Sequence, residues 1–257
     1  MRHCAPDMRC RVPNRSTGRD AARLVPRMIR GLIFDKDGTL FDFNATWGAF
    51  VRTLLVAEAA GDSHLLRRLA QALGYDLALN RFLPSSIVIA EPTTEVARVV
   101  AEVTGQADVA ALTARMNAIS ATVPQHPAAD LPVLMAALRA RGLQLGVVTN
   151  DAEDPAMRHL EDAGILHELA FVAGYDSGFG AKPAPGPLLA FCDATGLEPA
   201  DCAMIGDSTH DLAAGRAAGM TCIGVLTGPA SRDTLAPHGD AVLGSIADLP
   251  DWLDRMA

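Results

Sequence analysis

Lysine is almost missing from this chain: 257 residues hold 20 arginines but only two lysines, Lys36 and Lys182. Long apolar runs are missing too. No stretch approaches the roughly 18 apolar residues that a membrane-spanning helix needs, so no membrane partner is expected. The five cysteines, Cys4, Cys10, Cys192, Cys202 and Cys222, are odd in number and form no Cys-x-x-Cys pair. That argues against a disulfide framework or a zinc cluster and for free thiols in a reducing, cytoplasmic setting. The first 27 residues lack an apolar run, so no secretory signal is expected there. They are rich in arginine instead. Residues 1–30 hold eight arginines against two aspartates, a net +6, while the remainder holds 14 basic and 28 acidic groups, a net −14. A basic stripe for nucleic acid is therefore absent from the body of the chain. Any anionic substrate must be drawn in by a metal or by a few placed cations.

What is present is enough apolar material for a sizeable core, 49% of the residues, with only 5% aromatic. The length suits one large domain or a core carrying an insert. Strand-like runs occur at 31–35, 143–149, 169–173, 202–206 and 221–226. Helix-like stretches at 155–163, 185–195 and 211–218 separate the later ones, and the last of these is expected to begin at Asp211. Alternating strands and helices predict an α/β fold with a parallel sheet covered on both faces. Residues 43–128 differ, with helical periodicity near 44–60, 64–73, 93–103 and 108–121. We read them as a helical insert, with 82–90 as a short strand or apolar loop and the proline-rich 123–132 as the return hinge.

The chemistry gathers at predicted strand ends. Residues 32–42 read LIFDKDGTLFD, and in extended chain Asp35 and Asp37 address the same side. Two neighbouring carboxylates at the carboxyl end of a strand imply a divalent cation or a shared proton. Gly38 and Thr39 then make a tight turn whose backbone N–H groups suit an anion. By the same alternation, Lys36 points away from the pair and reads as a tolerated residue outside the site. The second strand ends in VVTND, offering Thr149 and Asn150, and the fourth in MIGDSTHDL, offering Asp207 and Asp211. Lys182 lies in GFGAKPAPG, ahead of a helix. A chain that otherwise uses arginine places its two lysines at such loops, where a compact ammonium suits a point charge.

Together, DKDGTL, the Thr149 strand end, the Lys182 loop and GDSTHD resemble the four ordered motifs of the haloacid dehalogenase superfamily. The likeness spans about residues 30–228 and is nearest to the phosphoglycolate phosphatase-like branch. It implies a Rossmann-like core formed by 28–42 and 129–257 and a C1-type helical cap at 43–128; composition alone makes 1–27 a basic tail that is expected to be disordered. The likeness further implies that Asp35 is the nucleophile and Asp37 the general acid and base. Mg²⁺ would be held by Asp35, Asp37 (through its carbonyl) and Asp207. Gly38, Thr149, Asn150 and Lys182 would bind the substrate phosphate, and Asp211 would orient Lys182 or a metal-bound water. The implied activity is Mg²⁺-dependent hydrolysis of a small phosphorylated metabolite. Asp37 disfavours a dehalogenase, and the absence of lysine from 38–181 disfavours a Schiff-base phosphonate hydrolase. A phosphoglucomutase-like phosphotransferase and a non-enzymatic phospho-accepting module stay open. His210 reads as a loop histidine without a chemical role, Trp47 and Phe50 as helix packing, and Arg52 and Arg81 as solvated surface.

Overall fold

The computed structural model describes residues 28–83, 85–89 and 91–256, without the side chains of residues 49 and 50. The tail at 1–27, Cys4 and Cys10, and the Phe50 side chain lie outside the described residues. Five expected strands are present as β1 (Gly31–Phe34), β4 (Gln144–Val148), β5 (Phe171–Ala173), β6 (Cys202–Gly206) and β7 (Thr221–Val225), and β8 (Ala241–Leu243) joins them. They form a six-stranded parallel sheet in the order β5-β4-β1-β6-β7-β8.

Alternation along β1 explains its central place. Leu32 and Phe34 pack on one face with Leu134 and Leu138 of α5 (Leu131–Ala140). Ile33 packs on the other with Leu188 and Phe191 of α7 (Gly186–Thr195). All three β1 side chains are fully buried, each worth about 1.5–3 kcal/mol of transfer free energy. Helix α6 (Glu153–Asp162) follows β4, α8 (Thr209–Ala218) follows β6, and α9 (Arg232–Leu235) and α10 (Leu249–Met256) complete the covering layers.

Between β1 and α5 lies the helical insert: α1 (Phe43–Ala59), α2 (Ser63–Leu73), a short hairpin of the two-residue strands β2 (Tyr75–Asp76) and β3 (Arg81–Phe82), α3 (Thr93–Thr104) and α4 (Val109–Ser120). Aspartate side chains cap three of these helices. Asp42 accepts from the Ala45 N–H, Asp62 from His64 and Leu65, and Asp108 from Ala111. The insert has a core of its own, including Phe43, Leu55, Leu69, Val100 and Leu112. Its exit and return segments run side by side, with Asp42 N–H donating to His126 O at 2.8 Å and Ala128 N–H to Leu40 O at 2.9 Å.

Some boundaries differ from those expected. Helix α8 begins at Thr209, not Asp211, because Ser208 is its N-cap and Asp211 bonds back to the Ser208 N–H in a capping box. The expected hinge at 123–132 runs into α5, whose N-cap is Asp130. Within 82–90, Phe82 belongs to β3 and Ile87–Ile89 form a single 3₁₀ turn. Among the described residues no helix is long and apolar enough to cross a membrane.

Candidate active site

Strand order brings the polar groups together. β1 lies between β4 and β6, so the residues that follow those strands, Asp35, Thr149 and Asp207, emerge side by side at one sheet edge. The chain crosses from one side of β1 to the other between β5 and β6, the kind of switch point where open α/β sheets bind ligands. The Asp35 N–H is anchored to Ile205 O at 2.8 Å. Asp207 sits in a cradle of two glycines. A Cβ on Gly38, whose φ is +85°, would come within 2.3 Å of Asp207 Oδ2, and one on Gly228 would collide outright.

Lys182 joins the motifs. Its Nζ donates to Asp35 Oδ1 and to Asp211 Oδ1, both at 2.6 Å, and all three side chains are buried. The Asn150 side chain fixes the Lys182 backbone from both directions, donating to its carbonyl and accepting from its N–H, each at 2.9 Å. Asp211 is held in turn, its Oδ2 accepting from the Ser208 N–H and hydroxyl. The Thr149 hydroxyl accepts from the Asp151 N–H at 3.0 Å. The Gly38 carbonyl accepts from the Thr227 hydroxyl at 2.6 Å.

The trio is short of positive charge. Burial pushes Asp35 up to about 7, Lys182 pulls it down, and Asp211 and Asp37 add to the rise. Burial, followed by Asp35 and Asp211, drives Asp207 well above the ordinary carboxylate range. Burial works against the charge on Lys182, yet the Asp211 and Asp35 carboxylates outweigh it and raise its pKa. Ligand oxygens of Asp35, Asp207 and Asp211 lie within 4.8 Å of one another, and Asp207 Oδ2 is buried without a hydrogen-bond partner. An all-carboxylate set with an orphaned oxygen fits a hard divalent cation. The Asp37 carboxylate is not in the trio; it turns elsewhere.

Where it turns corrects the reading of Lys36. Lys36 does not point away from the site. Its Nζ, without solvent contact, bonds Asp37 at 2.7 Å and lies 3.3 Å from both Asp151 Oδ2 and His159 Nδ1. Strict alternation fails because β1 ends at Phe34, so Lys36 belongs to the turn and its four-carbon stem folds back. Burial disfavours the ammonium, but Asp37 and Asp151 more than compensate and its pKa rises. His159 Nε2–H donates to Ser120 O at 2.9 Å, which leaves Nδ1 to accept from Lys36. Trp47 also exceeds its expected packing role: its indole N–H donates to Asp37 Oδ1 at 2.8 Å, and the Lys36 ammonium lies 5.5 Å from its ring centroid. Sequence offered one clue to this cluster, the scarcity of lysine; nothing in the spacing marked Asp151 or His159.

Asp35, Asp37, Thr149, Asn150, Lys182 and Asp211 line one cavity of about 90 Å³, roofed by the insert. Gly38 and Asp207 stand beside it, as the glycine cradle requires. His210 is not a loop residue: it lies in the first turn of α8, lines the cavity and has a buried Nδ1 without a partner. Arg52 and Arg81 are exposed and outside the cavity, Arg52 being engaged by Asn80 and the Leu77 carbonyl.

Comparison with known proteins agrees with this geometry. A family model described as haloacid dehalogenase-like hydrolase matches residues 29–219. Phosphoglycolate phosphatase of Rhodospirillum rubrum is 41% identical over 121 residues, 47% of this chain and 50% of that protein. The chain thus spans about half the length of the curated relatives it matches at that level. Phosphoglycolate phosphatase of Escherichia coli K12 is 28% identical over 231 residues, covering 86% of this chain and 91% of that one. A crystal structure of a HAD family hydrolase from Deinococcus radiodurans, with bound phosphate and sodium, superposes with a TM-score of 0.61 at 22% identity, covering 90% and 97% of the two chains. The parallel sheet, the helical insert after its first strand and the family match over 29–219 lead to one conclusion: the chain belongs to the haloacid dehalogenase-like hydrolases.

Proposed function

We propose that this protein is a Mg²⁺-dependent phosphomonoesterase that hydrolyses a small organic phosphate through an aspartyl-phosphate on Asp35. The reading is carried by one observation: Asp35 is bonded at 2.6 Å to Lys182 in the same cavity as Asp37. In the first step an Asp35 carboxylate oxygen attacks phosphorus, the ester P–O bond breaks, and Asp37 gives its proton to the departing alkoxide. In the second, Asp37 takes a proton from the water that attacks the phosphoryl group. Inorganic phosphate leaves and the Asp35 carboxylate returns. Lys182, steadied by Asp211 and by the Asn150 clamp, positions Asp35 and offsets the phosphoryl charge. Lys36 and Trp47 hold Asp37 in a single orientation, which shortens the search for a reactive geometry.

Asp35 and Asp207, with the Asp37 carbonyl, are the residues that would hold the cation, and Asp211 lies within reach of the same set. Bound there, Mg²⁺ supplies the positive charge that keeps the buried carboxylates ionised and stabilises the phosphoryl oxygens. The relatives' named activity makes phosphoglycolate the reference ester, and phosphorylated small molecules are the proposed partners.

The test is phosphate release from a panel of phosphomonoesters with Mg²⁺ or EDTA, using wild type and Asp35→Asn. The expected outcome is Mg²⁺-dependent turnover that falls by about 10⁴-fold or more in the variant, in keeping with loss of a covalent nucleophile. Wild-type rates in Asp35→Asn reject the nucleophile. A single stable acyl-phosphate per chain without turnover favours a phospho-accepting module.

A further inference from the structure

The roof of the cavity carries information that the catalytic motifs do not. Twelve lining residues come from the insert, and nine of them are apolar. Phe43, Trp47, Val51, Leu54, Val96 and Met116 are drawn from α1, α3 and α4, and all six also belong to the insert's own hydrophobic core. The cavity therefore opens into that core and does not stop at a polar surface. The indole N–H, the roof's one aromatic donor, is already given to Asp37.

The charges are equally one-sided. Among the described residues the insert contributes neither lysine nor arginine to the lining, and its one charged group there is Glu91. Lys182 is bonded to Asp35 and Asp211, and the three N–H groups of Lys36 face Asp37, Asp151 and His159. A carboxylate on the leaving group would meet Glu91 and Asp151, with Lys182 and Lys36 already committed and the His210 imidazole as the one uncommitted basic side chain among the described lining residues; burying a poorly paired charge is strongly unfavourable. A sugar fares little better. Its hydroxyls need partners, and the roof's polar side chains are Glu91, Thr93 and Ser120, the last of which lies 3.5 Å from Asp151; on the facing side Ser208 is already bonded to Asp211, which leaves His210.

We propose that the substrate is a phosphomonoester whose leaving group is uncharged and mainly apolar, an aryl or alkyl alcohol, seated against α1, α3 and α4 of the insert. The inference rests on the phosphomonoesterase reading and narrows it away from phosphoglycolate. Apolar pockets of this kind discriminate by about 10–200-fold per methylene, and a polar substrate loses further for each group left unpaired.

The experiment compares kcat/KM of the full chain with Mg²⁺ for phenyl phosphate, n-hexyl phosphate, phosphoglycolate and glycerol 3-phosphate. Calorimetric binding of benzylphosphonate and phosphonoacetate, which cannot be hydrolysed, runs beside it. The expected result is at least a tenfold preference for the phenyl and hexyl esters and at least tenfold tighter binding of benzylphosphonate. Turnover that favours phosphoglycolate or glycerol 3-phosphate, or tighter binding of phosphonoacetate, overturns the substrate class while the phosphatase reading stands. Tighter binding of benzylphosphonate without hydrolysis of any ester supports the apolar seat and overturns the phosphatase reading.

Discussion

Lys36 sits without solvent contact between two carboxylates and an imidazole, and removing it strands two acids. Breaking a buried ion pair by deleting one partner costs about 3–5 kcal/mol, so Lys36→Met should lower unfolding stability by that order in urea titrations. Adding Asp151→Leu to Lys36→Met should recover part of the loss, and a coupling energy near zero would contradict the pairing. His159 gives a pH test of the same cluster. Burial, followed by the Lys36 charge, holds its pKa down to about 4, whereas an unfolded imidazole titrates near 6.5. The unfolded chain therefore takes up a proton below 6.5 that the folded ring refuses until about 4. The stability due to the neutral ring is complete above pH 7 and fades as the pH falls from 6.5 to 4, by about 3 kcal/mol. Stability measured from pH 7.5 to 4 in wild type and His159→Gln should show that loss in wild type only. Asp35 and Asp207 were legible in the sequence because strand ends carry chemistry in an α/β sheet, and Lys182 because lysine is scarce and its loop resembles a family motif. Lys36 was misread because alternation holds only while the backbone is extended, whereas Trp47 packs in the insert core as its spacing implied and makes in addition a bond to Asp37 that leaves no periodic trace.

Helix α8 shows how an element can serve fold and site with the same atoms. Ser208 caps it, and the Asp211 side chain that closes the capping box also grips Lys182. Ser231 caps α9 away from the cavity. Ser208→Ala and Ser231→Ala should each cost about 1 kcal/mol in thermal or urea unfolding. Only Ser208→Ala should also lower kcat, since it frees Asp211; equal kinetics in the two variants would separate the cap from the site. Elements with strong periodicity were readable: the five expected strands and the insert helices appear within a few residues of their expected places. Their ends were less so. Asp211 looked like a helix start because an acid before an apolar run resembles an N-cap, yet Ser208 takes that position. No element was expected beyond residue 226, where β8 spans three residues and α9 four, too short for a periodic signal; the eight-residue α10 was missed as well.

At the scale of the whole molecule, three buried carboxylates sharing one corner make the metal-free protein carry an electrostatic load that a cation would relieve. A ligand at 100 times its Kd adds about 2.7 kcal/mol to stability, which for a chain of this size is a rise in Tm of about 5–10 °C. Saturating Mg²⁺ should produce such a shift in wild type and little or none in Asp207→Ala; an equal shift in both would place the ion elsewhere. Among the described residues the insert's polar links to the sheet-bearing part of the chain include Trp47 to Asp37, Asn117 to Tyr175, Ser120 to Asp151 and His159, and Gln125 to His159, beside the paired segments at 40–42 and 126–128. We expect the roof to open by rotation about those paired segments, a motion of the kind that admits substrate in other lidded enzymes. The scarcity of lysine has a practical consequence. A lysine-specific endoproteinase has just two candidate cleavage points in the entire chain, one of them followed by Pro183, and the two side chains are 0% and 5% exposed. The Lys36 carbonyl also accepts from the Leu40 and Phe41 N–H groups directly after the central strand. Digestion of the native protein would thus proceed only through unfolding of these segments, turning a routine mapping reagent into a clock for the opening of the sheet's centre.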